Sequence, residues 1–327
     1  MRLLITVFML LLIQACAPVI KPMGSVQGLS SLTDKALVAR DGAVLPVQSC
    51  LPQRRLRAVI VALHGFNDYA NAIALPAPFW AEQGIATYAY DQRGFGGAPN
   101  RGYWAGTRTM TADLRDAVRA VRRRHPQTPL FVLGVSMGGA VVMAALADAP
   151  IAGITGVVLI APAVWGRGHM NIIQRTALWI FSNTIPWYPL TGEGLNIKPS
   201  DNIEMLRALS RDPKIIRETR IDAIKGLVDL MDSAFAAAPR LGQTPAFVAY
   251  GLRDEIVPKA PTTEIMRRMP RPAGTRRAFY KSGYHMLLRD TGAKVLWRDI
   301  AAWIDDPLKP LPSGADKKAE ELLAARQ

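Results

Sequence analysis

Gly134-Val135-Ser136-Met137-Gly138 is the stretch of this chain with the clearest chemistry. Residues 130–133 are an apolar run that reads as a buried strand, and 139–146 read as a helix, so a serine stands at a sharp turn between them. A nucleophile held there projects from a strained backbone that costs roughly 1–3 kcal/mol. Glycines two positions before and after it remove side chains that would collide. The helix that follows aims its N-terminal N–H groups at a developing oxyanion. A serine nucleophile needs a histidine base and a carboxylate that orients the base. Of the four histidines, His125 sits at a helix end beside Pro126 and reads as exposed. His169 falls away from the strands, and His64 ends a strand in a loop suited to binding an oxyanion. His285, between the last strand and the closing helix, is the predicted base. Asp254 directly follows the preceding strand and is the predicted acid, ahead of its neighbour Glu255 and the more distant Asp229 and Asp232. The backbone N–H groups of Met137 and of Phe66, in the loop after residue 63, are the predicted oxyanion donors.

A scaffold must bring these residues together. Strands are predicted at 58–63, 85–90, 157–160, 245–250 and 276–280, several of them apolar throughout, as in a sheet covered on both faces. Helical stretches near 76–83, 111–124 and 290–304 alternate with them, the last with Val295, Leu296, Ile300, Trp303 and Ile304 on one face. The pattern predicts an α/β fold, a mostly parallel central sheet with helices on both faces. The loops at His64, Asp91, Ser136, Asp254 and His285 then lie together at the carboxyl ends of the strands, where such sheets bind ligands. Asp41-Gly42 between alternating apolar residues predicts a hairpin ahead of the parallel strands. The expected core is 33–164 with 242–306. Between them, 165–241 loses the alternation and reads as an inserted helical cap over the site. Residues 307–327 read as a charged tail, frayed or weakly helical.

Arg2, an apolar run and Gln14-Ala15-Cys16 open the chain. Residues 1–15 read as a signal peptide, and the small residue before Cys16 resembles a bacterial lipobox, which implies a lipid-modified Cys16. Residues 16–32, rich in Pro, Gly and Ser, are the expected tether. The expected location is the bacterial cell envelope on its periplasmic face, held at a membrane. Ala17 in place of an aspartate favours the outer membrane. Cys50 is then a lone, inert thiol near a strand end. The formal charge is +14, yet the densest run, 119–124, reads as a solvated helix face without interleaved aromatics, so nucleic acid is excluded as partner. With no His-Glu-x-x-His and no Cys/His cluster, neither a metal nor a cofactor is expected.

His64-Gly65, Asp91-Gln92-Arg93-Gly94-Phe95-Gly96, the 134–139 stretch, Gly251-Leu252-Arg253-Asp254 and Gly283-Tyr284-His285 resemble the monoacylglycerol lipase and lysophospholipase branch of the α/β-hydrolases. The serine, aspartate and histidine also occur in that fold's order. The resemblance spans about 35–304 and implies a cofactor-free serine hydrolase with a cap, cutting acyl esters of single-chain lipids. Two departures stand out. Phe66 replaces the small residue frequent after His-Gly and narrows the acyl entrance, and the cap, the family's most variable part, leaves the head group open. Acyl transfer to an alcohol uses the same triad and is the alternative reaction. A non-catalytic lipoprotein scaffold is the alternative of a different class.

Overall fold

The computed structural model describes residues 17–194 and 196–325. The predicted signal peptide, 1–15, and Cys16 lie outside them. Short antiparallel strands β1 (Ser31–Leu32), β2 (Ala36–Val38) and β3 (Val44–Cys50) come first. The β2–β3 hairpin turns at Asp41-Gly42, where Gly42 adopts φ 82°, a conformation glycine reaches without steric cost. Alternation then sets in: β4 (Ala58–Leu63), α1 (Pro76–Ala81), β5 (Ile85–Tyr90), α2 (Thr107–Arg124), β6 (Leu130–Val135), α3 (Met137–Asp148) and β7 (Gly156–Ile160). The inserted part holds α4 (Ile172–Thr184), β8 (Pro189–Thr191), α5 (Ile203–Arg211), β9 (Glu218–Arg220) and α6 (Ile221–Ala237). The core resumes with β10 (Ala246–Gly251), α7 (Lys259–Arg268), β11 (Arg276–Tyr280) and α8 (Lys294–Asp305), and α9 (Ala315–Ala324) ends it.

Among the described residues the main sheet has nine strands in the order β1-β2-β3-β5-β4-β6-β7-β10-β11. Pairing is parallel from β5 through β11 and antiparallel from β1 through the β3–β5 contact. Every residue of β4, β5, β7 and β10 is buried, because helices cover both faces. One face packs Met110, Leu114 and Val118 of α2 and Val141 of α3 against Val59, Val61 and Val132. The other packs Trp80 of α1 and Ile300 and Trp303 of α8 against Ile60, Phe131 and Phe247.

Several segments depart from the sequence expectations. The expected free tether is bound to the body. Val19 N–H donates to Asp222 (3.2 Å), Lys21 N–H to Trp104 O (2.8 Å), Met23 N–H to Thr109 Oγ1 (3.1 Å) and Gly24 N–H to Asp41 (2.8 Å). A segment without secondary structure keeps its N–H groups free, and here they meet carboxylates and carbonyls of the body. The arginine run is the solvated face expected, with Arg119, Arg123 and Arg124 exposed, but its guanidinium groups are also bonded to the body. Arg122 donates to the carbonyls of His125 (3.1 Å) and Thr128 (2.8 Å), Arg123 to Ser30 O, and Arg124 pairs with Asp34 (2.9 Å). The charged tail includes α9, which buries Ala315, Ala319 and Leu323 and pairs Glu320 with buried Arg277. Val295, expected on the inner face of α8, is exposed, one residue before the stripe that begins at Leu296. The sequence places all of α6 in the cap, yet Leu230, Ala234 and Ala237 are buried in the core cluster that contains α3.

Candidate active site

β6 ends at Val135 and α3 begins at Met137, which leaves Ser136 alone between them at φ 50°, ψ −112°. Such a conformation is rare for serine and is sustained only by surroundings that over-determine it. Ser136 N–H donates to Ile160 O in β7 (2.9 Å), and Ser136 O accepts from Ala140 (3.1 Å) and Ala163 (3.0 Å). The flanking glycines answer to the neighbouring backbone rather than to the serine alone. A Cβ on Gly138 would lie 2.5 Å from Leu63 O at the end of β4, and one on Gly134 would lie 2.5 Å from Gly138 O.

The loops after β10 and β11 carry Asp254 and His285 and are bonded to each other: Leu252 N–H donates to Tyr280 O and Arg253 N–H to Gly283 O, both at 2.9 Å. His285 Nδ1 lies 2.8 Å from Asp254 Oδ2. The other oxygen of Asp254 accepts from Ile256 N–H (2.8 Å) and Val257 N–H (2.9 Å). A carboxylate accepts only, so Nδ1 carries the proton in this pair and Nε2 is left as the acceptor of the neutral ring. Ahead of His285, Asp290 accepts from Tyr284 N–H (2.7 Å) and from the Ser200 hydroxyl (2.6 Å), and burial raises its pKa. Ser136 and His285 line one cavity of about 510 Å³, whose other walls include Phe66, Leu227, Met231 and Leu288. No hydrogen bond joins the Ser136 hydroxyl to His285 in this ligand-free chain.

Phe66 sits in the loop after β4, edge-on to Phe95 with centroids 5.5 Å apart. Among the described residues, neither its N–H nor that of Met137 donates to a protein acceptor. His64 holds this loop. Its Nε2 accepts from Gln92 N–H (2.9 Å), so its Nδ1–H donates to Gly65 O (2.7 Å), and its carbonyl accepts from the Gln92 side chain (2.9 Å) and from Gly138 N–H (3.1 Å). Burial lowers the His64 pKa and keeps the ring neutral. The next loop is a row of clamps. Asp91 accepts from Ala70 N–H (2.9 Å) and Gly97 N–H (2.8 Å), and Arg93 forks onto both Asp41 and Asp113 at 2.7–2.8 Å.

The rival residues are engaged elsewhere. Glu255 accepts from Lys198 N–H (2.7 Å), Asp229 and Asp232 pair with Arg167, and His169 lies 3.3 Å from Glu264. His125, expected exposed, is half-buried with Nε2 2.9 Å from the Tyr88 hydroxyl. Cys50 ends β3 half-buried, and burial raises its thiol pKa. Sequence reasoning missed one polar feature of the cavity wall, the pair Asp68–Arg289, in which Arg289 also donates to Ala72 O (3.1 Å). The two residues are far apart in sequence and belong to no motif.

A serine isolated between a strand and a helix, with a histidine and a carboxylate delivered by two later strands of the same sheet, is the arrangement of the α/β-hydrolases, and this chain has that fold. Residues 54–292 match the family described as serine aminopeptidase, S33, and the chain belongs to that family. It is similar to the monoacylglycerol lipase of Mycolicibacterium smegmatis, 25% identical over 264 residues that cover 77% of this chain and 90% of the relative. The monoglyceride lipase of Rattus norvegicus is 24% identical over 258 residues, 78% of this chain and 84% of that protein. The crystal structure of a soluble variant of monoglyceride lipase from Saccharomyces cerevisiae with a substrate analog shares the fold at TM-score 0.69 and 18% identity, covering 90% of this chain and 99% of that one. The chain is thus a hydrolase of the lipase and esterase kind, in the monoacylglycerol lipase-like branch.

Proposed function

We propose that this protein hydrolyses carboxylic esters of single-chain lipids, such as monoacylglycerols or lysophospholipids, with Ser136 as nucleophile, His285 as general base and Asp254 holding the imidazole. His285 Nε2 takes the Ser136 proton as Oγ attacks the ester carbonyl, and the oxyanion rests on the N–H groups of Phe66 and Met137. The imidazolium then gives its proton to the departing alcohol. Water, deprotonated by the same nitrogen, attacks the acyl-serine and releases the fatty acid. A serine–histidine bond that closes only with substrate in place is common in ligand-free enzymes.

The observation that carries this reading is the cavity: about 510 Å³, walled largely by apolar side chains, with Ser136 and His285 on its surface. It suits an acyl chain better than the charged end of a peptide. An aminopeptidase needs an unpaired carboxylate for the substrate ammonium, and Asp68 on this wall is already paired with Arg289. Membrane attachment through a lipid on Cys16, on the periplasmic face of a bacterial envelope, fits the basic charge and the apolar outer surface of the cap. Half of the large apolar side chains exposed among the described residues lie between Ile172 and Ile203.

The test is fatty acid release from a long-chain monoacylglycerol by the detergent-solubilised full chain and by its Ser136→Ala variant. The expected result is release by the parent and a loss of at least about 10⁴-fold in the variant. Equal release by both would remove Ser136 from the reaction. Transfer of the acyl group to added alcohol in preference to water would turn the reading to acyl transfer.

A further inference from the structure

Beside the cavity that holds Ser136 lies another, of about 530 Å³, lined by α4, β8 and the start of α6 and open to solvent at its rim. Both cavities have Trp165, Met170, Ile224 and Val228 in their walls. The spacing on α6 explains the division. Leu227 and Met231 face Ser136, Ile221 faces the far side, and Ile224 and Val228, four residues apart, stack as a ridge between them. Trp165 is steadied from the cap, its indole N–H donating to His169 O (3.4 Å). A single layer of side chains therefore separates the two spaces.

The far cavity has an almost wholly apolar wall. α4 buries only Ser182, although its sequence is apolar around most of its circumference. A helix of that composition is ordinarily packed on all sides. Ala177 and Leu178, its half-buried residues, face this cavity. The rim, Phe181, Tyr188 and Leu190, is exposed at 44–53%.

We propose that the far cavity is a binding site for the distal part of a long acyl chain, which passes the Ile224–Val228 ridge with its carbonyl at Ser136. This rests on the ester-hydrolase reading above. Short acyl chains end within the first cavity; longer ones displace the Trp165 and Met170 side chains and lodge under α4. The occupant is a saturated or unsaturated hydrocarbon tail, because the wall offers no charged side chain to a polar group and Gln174 is its only amide.

The experiment compares p-nitrophenyl butyrate with p-nitrophenyl palmitate on the detergent-solubilised full chain. It uses two variants that fill the far cavity from opposite walls, Ala177→Trp and Leu190→Trp, each checked for an unchanged melting transition. Each methylene kept out of an apolar site costs about fourfold in binding. The ratio of kcat/KM for palmitate over butyrate is therefore expected to fall at least tenfold in both variants. A ratio equal to the parent's in both overturns the proposal, whatever the absolute rates. Ser136→Ala run alongside keeps the two questions apart, since undiminished hydrolysis in that variant strikes the ester-hydrolase reading itself.

Discussion

The two sides of the cavity are built in opposite ways. On the sheet side, the reacting centre is held by bonds from different elements. Asp254 accepts three, His64 ties its loop to the loop after β5 and to the start of α3, and Ser136 is kept at a positive φ by β7 and the segment after it. On the cap side, α4 leaves Ile173 75% and Trp179 69% exposed and stands over the far apolar cavity. Reacting atoms must be placed to fractions of an ångström, which fixed polar geometry supplies. An acyl chain asks only for apolar volume, which loosely packed helices supply and can alter at little cost.

That contrast can be broken or sharpened by substitution. Asp254→Asn should lower kcat by about 10³–10⁴-fold by presenting the wrong tautomer partner to His285, while the melting temperature stays close to the parent's; ester turnover and calorimetry together decide it. Arg93→Met, remote from the acyl chain, should act on stability instead. It leaves two buried carboxylates unpaired, a loss of about 3–5 kcal/mol in denaturant titration, with kcat per folded molecule nearly unchanged. Acid should probe the same clamp more gently. Arg93 first, then the N–H groups of Gly24 and Ala43, hold the Asp41 pKa at about 2, against 3.8 when unfolded. The pair's contribution, about 2 kcal/mol, is then complete above pH 3.8 and lost as pH falls through 2. The stability gap between parent and Asp41→Asn should close over that window. Smallest of all on stability should be Ile173→Gln with Trp179→Gln, within about 0.5 kcal/mol, yet binding to anionic vesicles should weaken. A cap face that held its own fold together would instead show a large drop in melting temperature.

The same division governed what could be read from the sequence. The parallel strands were legible because residues buried on both faces form apolar runs, and the turn at Ser136 because its glycines are demanded by the close approach of the first turn of α3 to the ends of β4 and β6. Helix α4 was not, since residues apolar on every side carry no helical stripe, although its capping pair Asn171 and Gln174 was a usable signal. Helix α9 was legible only as a weakly helical alternative to a frayed tail, because its charge hid its docking on the core. Its core contact is made by Ala315, Ala319 and Leu323, small or widely spaced among Lys and Glu. Gln92 and Asp290 stood in plain view, but Gln92 holds the carbonyl of His64 and Asp290 the hydroxyl of Ser200, partners far away in sequence that no local pattern encodes.

The segment before β1 has a mechanical consequence. Only Ala17 and Pro18 separate Cys16 from the first bond to the body, at Val19. The three steps from Cys16 to Val19 reach at most about 11 Å, a leash too short to let the molecule tumble. If Cys16 carries the lipid proposed for it, its acyl chains would act as a compass rather than a mooring. They would set one face toward the bilayer, the face where Asp222 receives Val19 and its neighbour Ile221 lines the far cavity. An enzyme so oriented need not search for its substrate's plane, because the lipid surface and the apolar entrance under the cap would already face each other.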